Sequence, residues 1–100
     1  MQFIVLLGIQ TQLVRREVLT AELVRLEIQM VKELLAAGTV RQAWKRVDGH
    51  SVVLLLEALS EPECRAVLAS LPFSTAGILD IQMVAPVEPY LEVYSDPAPG

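Results

Sequence analysis

Glu27 is the ionisable side chain whose setting fits an ordinary surface least. It lies in the run Leu23-Val24-Arg25-Leu26-Glu27-Ile28-Gln29-Met30-Val31. At the helical advance of about 100° per residue, Leu23, Val24, Met30, Val31 and Leu34 flank it on one arc. An ionised carboxylate among aliphatic groups costs several kcal/mol unless a partner or water answers it. One reading makes Glu27 a pocket acid or base, since burial raises a carboxyl pKa toward the range useful for proton transfer near neutral pH. The other makes it a structural ion pair with Arg41, Lys45 or Arg46, or a glutamate at a wet subunit interface.

A second group of candidates lies on the segment Thr39 to Val47 and just beyond it. Read as a strand, this segment places Arg41 and Lys45 on one face with Ala43, and Trp44 on the other with Gln42 and Arg46. The two cations suit a carboxylate ligand, and they suit Glu27 or other acidic neighbours equally well. His50, the single histidine, binds an anion or shuttles a proton if it faces a pocket, and is otherwise an exposed strand-end residue. Cys64 falls on the apolar stripe of a helix and reads as a buried thiol. One histidine and one cysteine make a zinc site an unattractive reading. The glycines form no phosphate-cradling loop, and the serines have no triad context.

These side chains need a scaffold, and the hydrophobic pattern spells one. Met1–Ile9 reads as a strand that is apolar on both faces. A connection over Gln10–Val14 leads to a helix over Arg15–Ala37, ended by Gly38. Strands over Thr39–Val47 and His50–Ala58 flank Asp48-Gly49, a strong hairpin signal. Ser60-Glu61-Pro62-Glu63 announces a second helix, which Leu71-Pro72 stops. Ser74–Gly77 reads as a loop and Ile78–Ala85 as a fourth strand. The order β-α-β-β-α-β predicts an α+β, ferredoxin-like fold, with a four-stranded antiparallel sheet and two helices on one face. Residues 1–87 form this domain; 88–100 form a tail, with a short edge strand at Leu91–Tyr94 and a disordered end.

Two helices cover one sheet face, yet Ile4, Leu6, Val53 and Leu55 point away from Phe3, Val5, Val52 and Leu54. The apolar arc of the first helix spans roughly 200°, twice the minimal stripe of a surface helix. Both features predict a homo-oligomer, sheet against sheet, as a dimer or larger ring.

Composition narrows the function classes. The 100 residues are 53% apolar with a net charge of -4, so the chain is neither a disordered tail nor a generic nucleic-acid binder with a basic stripe. The apolar start, Phe3–Ile9, is too short to span a bilayer, which needs about 20 residues, and carries no signal-peptide flanks. A soluble, cytoplasmic protein without membrane association is expected, and the lone cysteine agrees with a reducing compartment.

Gly38-Thr39-Val40-Arg41-Gln42-Ala43-Trp44-Lys45, Asp48-Gly49-His50, Leu71-Pro72-Phe73 and Leu79-Asp80-Ile81 together resemble the muconolactone Δ-isomerase family over most of Met1–Val87. The resemblance implies a dimeric α+β barrel and a reaction that moves a proton within an unsaturated lactone, with no metal or organic cofactor. The family's helical glutamate falls on Glu27, and Arg41 and Trp44 match its R-x-x-W-R strand. The family's tyrosine and asparagine after the glycine are replaced, with Ser51 standing in that stretch, and the aromatic and methionine of its LPLFPYM-type segment are lost. On this reading Glu27 is the catalytic residue, and Arg41, Lys45, Trp44, His50 and Ser51 hold a small apolar or carboxylated ligand. The alternative is a non-catalytic oligomeric ligand-binding or interaction module; related monooxygenases on the same barrel are a third possibility.

Overall fold

The computed structural model describes residues 1–11 and 18–91. Seven elements follow one another: β1 (Gln2–Ile9), α1 (Ala21–Ala36), β2 (Val40–Lys45), β3 (Ser51–Glu57), α2 (Glu61–Ala69), the single-turn α3 (Pro72–Thr75) and β4 (Leu79–Val87). The strands form one antiparallel sheet in the order β2-β3-β1-β4. This is the ferredoxin-like α+β topology that the element order predicts.

Alternation along the strands sorts their side chains. Phe3, Val5 and Leu7 of β1 stand opposite Leu56, Leu54 and Val52 of β3, and this face carries the helices. Phe3, Val5, Leu7 and Leu56 are fully buried there, packed with Cys64 and Leu68 of α2. Ile4 and Leu6 of β1, Val53 and Leu55 of β3 and Met83 of β4 lie on the opposite face, over which no helix of the described residues packs. An extra residue in each edge strand shifts the register, between Val40 and Gln42 in β2 and between Leu6 and Leu7 against β4.

Local signals explain the boundaries. The first helix begins at Ala21 because the Thr20 hydroxyl accepts from the Leu23 N–H at 3.1 Å, which corrects the expected start at Arg15. Val18 and Leu19 lie outside the helix, while Arg15–Glu17 fall outside the described residues. Gly38, at φ +78°, ends this segment in the left-handed conformation, and Gly49, also at +78°, turns the β2–β3 hairpin. In α2 the Ser60 hydroxyl accepts from Glu63 N–H at 3.3 Å, and Glu63 accepts in turn from Leu59 N–H at 2.6 Å. Ser74–Gly77 is not simply a loop. Pro72 fixes the first φ of a helical turn that Ile78 N–H closes onto the Phe73 carbonyl. The expected edge strand at Leu91–Tyr94 falls, beyond Leu91, outside the described residues.

Candidate active site

α1 presents Leu23, Met30, Val31 and Leu34 toward the rest of the fold, and Glu27 in their midst. β2, at the sheet edge, is largely exposed even on its helix-bearing face. Between α1, the β2–β3 hairpin and α3 lies a cavity of about 270 Å³. Its walls are mainly aliphatic: Val31 and Leu34 from α1, Ala43 from β2 and Leu54 from β3, with Leu71 and Phe73 from the α3 segment. Glu27 and Lys45 are the charged residues among its described lining.

Glu27 is 9% exposed. One oxygen, Oε1, accepts a hydrogen bond from the Phe73 backbone N–H at 2.9 Å. That N–H belongs to the first turn of α3, where Leu71 at the cap position has no side chain able to accept. The carboxylate thus caps a helical turn 46 residues further along the chain. Desolvation raises the Glu27 pKa above the ordinary carboxylate value, and the Phe73 hydrogen bond opposes part of the shift. Among the described residues no cation lies within ion-pair distance of Glu27. The expected alternatives of an ion pair with Arg41, Lys45 or Arg46 are therefore not realised. Arg41 reaches Glu57 at 3.5 Å, and Arg46 pairs with Asp48.

The structure brings part of the predicted set together. Glu27 and Lys45 line the cavity, and Trp44 contributes to its rim while pairing with Val53 on the far face, 51% exposed. Arg41, His50 and Ser51 do not line it. Arg41 sits at the register shift in β2, turned to Glu57. His50 lies exposed in the hairpin turn, its backbone N–H donating to Asp48 Oδ1 at 2.9 Å. Ser51 pairs with Gly8 and alternates with Val52, which places it on the face opposite the cavity, where its buried hydroxyl finds no hydrogen-bond partner among the described residues. Cys64 is packed in the core under α2, and burial pushes its thiol pKa up. Among the described residues no group of three His, Cys, Asp or Glu side chains could hold a metal ion.

Phe73 is the site residue that the sequence reading did not single out. Its signal was present: Pro72 begins a helical turn with an uncapped leucine before it, so an acceptor had to come from elsewhere.

A four-stranded sheet backed by helices, with one interior carboxyl group on an aliphatic cavity, defines a small α+β protein of ferredoxin-like topology. Residues 1–92 match the family model described as muconolactone delta-isomerase, and the chain belongs to that family. Nine solved chains also match. One is 5-chloro-2-hydroxyhydroquinone dehydrochlorinase from Burkholderia phenoliruptrix AC1100, in complex with 2,5-dihydroxybenzoquinone. It superposes with a TM-score of 0.70 at 15% identity, covering 88% of this chain and 94% of that one, a likeness of fold. No curated protein matches the chain.

Proposed function

We propose that the protein is a proton-transfer enzyme of isomerase or lyase type, acting on a small unsaturated carbonyl compound such as a carboxylated lactone, with Glu27 as the base. The observation that carries this reading is the state of Glu27. It lines an aliphatic cavity with one oxygen fixed by Phe73 N–H, and the other oxygen has no protein partner among the described residues. A raised pKa makes that carboxylate a stronger base than an exposed glutamate.

The chemistry needs only this group and a means of offsetting charge. Glu27 removes a proton from a carbon beside the carbonyl, and the electrons of the C–H bond move into an enolate. Lys45, which lines the same cavity from β2, offsets the negative charge that develops. Return of the proton to another carbon of the conjugated system completes an isomerisation. Departure of an anion from the neighbouring carbon instead completes an elimination. The family name denotes the first outcome, and the name of the dehydrochlorinase with the same fold denotes the second. A carboxylate base serves both. A second copy of the chain packing on the exposed sheet face belongs to the same proposal, since Ile4, Leu6, Val53, Leu55 and Met83 form an apolar surface there.

One observation favours the alternative of a binding module without catalysis: the Phe73 hydrogen bond gives Glu27 a structural task of its own. Glu27→Gln separates the two. Its amide oxygen still accepts from Phe73, but it cannot take a proton. The assay is deuterium incorporation or turnover on a panel of unsaturated lactones and chlorinated hydroxyquinols. The proposal expects a fall of about 10²–10⁴-fold in rate on any compound the wild type converts. An unchanged rate overturns the role of Glu27.

A further inference from the structure

The backbone donors of the tight segment from Leu71 to Ile78 can be accounted for one by one. Leu71 N–H reaches the Leu68 carbonyl at 3.3 Å, and Ser74 and Thr75 N–H both reach the Leu71 carbonyl, at 2.9 and 3.0 Å. Ala76, Gly77 and Ile78 donate to the carbonyls of Pro72, Ser74 and Phe73 at 3.1, 3.0 and 2.8 Å. Pro72 has no N–H to give. One donor of the segment is left over, the Phe73 N–H, and Glu27 Oε1 takes it at 2.9 Å.

That count of one depends on a residue choice. A helix start ordinarily presents several N–H groups without an intrahelical partner, and an acidic side chain placed there collects them. Any residue but proline at position 72 would put a second N–H beside that of Phe73, at the same end of the same turn. Leu71, at φ −62° and ψ 135°, already has the extended backbone that a following proline favours, so Pro72 fits without local strain. Pro72 is half-buried and does not line the cavity, so it acts on Glu27 through the turn alone. A carboxylate that accepts two or three backbone N–H bonds is held far below the ordinary range, whereas Glu27, with one, stays above it. Few other groups bear on its charge. Its helix neighbours Leu23, Val24, Met30 and Val31 are uncharged. Among the described lining, β2 brings Lys45, beyond ion-pair distance, while β1, β3, α2, α3 and β4 bring no titratable side chain.

We propose that Pro72 is a positioning residue of the Glu27 site: by withholding a donor from the start of α3, it leaves Glu27 with one oxygen fixed and the other free to exchange a proton with the ligand. This rests on Glu27 being the base, and it adds the residue that keeps the base available. A turn with two donors would hold both oxygens and turn the same carboxylate into a structural cap.

The test uses the full chain, labelled with ¹³C and ¹⁵N, and no ligand. The Glu27 carboxyl carbon is titrated in the wild type and in Pro72→Ala, and the backbone amides are followed in the same samples. Alanine is a good helix former, so the turn is retained. The midpoint of Glu27 should fall by about one pH unit in Pro72→Ala, since a second N–H then stabilises the ionised form. The amide that the substitution adds and that of Phe73 should both shift with this midpoint. On any lactone the wild type converts, the plateau kcat should fall on the order of threefold with KM unchanged, as a weaker base in an unaltered cavity requires. An unmoved midpoint means that the added donor does not reach Glu27, and overturns the proposal. A raised midpoint, with a Phe73 amide that no longer follows Glu27, means that proline only stiffens the turn, and overturns it as well. The titration is decided separately from the Glu27→Gln assay. An unmoved midpoint beside an inactive Glu27→Gln protein rejects Pro72 and leaves the base standing. A lowered midpoint beside a fully active one rejects the base, and with it the task assigned to Pro72.

Discussion

Replacing Glu27 by glutamine and by alanine separates the charge of this side chain from its hydrogen bond. Burial raises the native pKa above the ordinary value of 4.5, while the unfolded chain titrates near about 4.3. Between the two, the folded protein holds a proton that the unfolded chain has released. Stability therefore falls as pH rises through that window, because the native state binds more protons than the unfolded state. The favourable contribution is complete below the unfolded pKa and is lost once pH passes the raised native value. Glutamine does not titrate and still offers Phe73 an acceptor. The melting temperature of Glu27→Gln minus that of wild type should therefore increase from pH 4 upward and level off above the native pKa. Glu27→Ala removes the acceptor and leaves the Phe73 N–H in the cavity wall without its 2.9 Å partner. A part-buried donor left unpaired costs about 1–3 kcal/mol. In a chain of this size each kcal/mol shifts the melting temperature by about 4–8 °C. Alanine should thus melt at least about 4 °C below glutamine at every pH. Circular dichroism melts between pH 4 and 8, at one fixed protein concentration, provide the measurement. A glutamine-minus-wild-type difference that stays flat or shrinks with pH refutes the buried-charge argument, and an alanine protein as stable as the glutamine one refutes the cap.

Phe3→Ala should cost about 3–5 kcal/mol in urea unfolding, because Phe3 is 1% exposed at the centre of the β1–β3 core; a loss under about 1 kcal/mol would show a core able to collapse around the gap. Leu6→Lys places a charge at the middle of the sheet face over which no helix of the described residues packs, opposite Val53, and light scattering should show a wild-type oligomer reduced to monomer. A wild type that is already monomeric at micromolar concentration rejects sheet-on-sheet packing. Ser60→Ala removes the acceptor for Glu63 N–H at the start of α2 and should cost about 1 kcal/mol, read as a drop of roughly 4–8 °C in melting temperature.

The fold was legible because its signals are local. Two-residue alternation marks β1 and β3, Asp48-Gly49 marks the hairpin, Gly38 ends the first helical segment, and Ser60 with Pro62 starts α2. The errors are local too. Leu19, Val18 and the residues before them continue the helical hydrophobic pattern, and periodicity has no means of favouring Thr20 as the cap over a longer helix. The apolar arc of α1 is wider than the surface the rest of the described fold buries. Leu26 at 41%, Leu35 at 42% and Ile28 at 50% exposure flank the buried stripe on both sides. The site was legible only where it depends on one element. Glu27 followed from the periodicity of α1 alone, and Lys45 from the alternation of β2. Arg41 did not follow, because the register shift after Val40 breaks that alternation and turns its guanidinium to Glu57. Phe73 was missed because its contact with Glu27 spans 46 positions: Leu71-Pro72 signals that a helical turn needs an outside acceptor, but not which distant residue supplies it.

Under the proposed function, that backbone contact also gives a way for an aliphatic cavity to keep a base. A carboxylate with no partner would already hold a proton and be unavailable as a base, while one matched by arginine would be held low and lose its basicity. A single peptide N–H lies between these limits. It offsets part of the desolvation, so the direction of the shift stays upward, and it occupies Oε1 without neutralising the charge. When Glu27 takes a proton on its other oxygen, Oε1 remains an acceptor, so α3 stays capped in both protonation states. Leu71 and Phe73, which wall the cavity, then hold the same place before and after the proton moves. A base whose supporting hydrogen bond survives its own protonation can return the proton to a second carbon of the same ligand, as a double-bond migration requires.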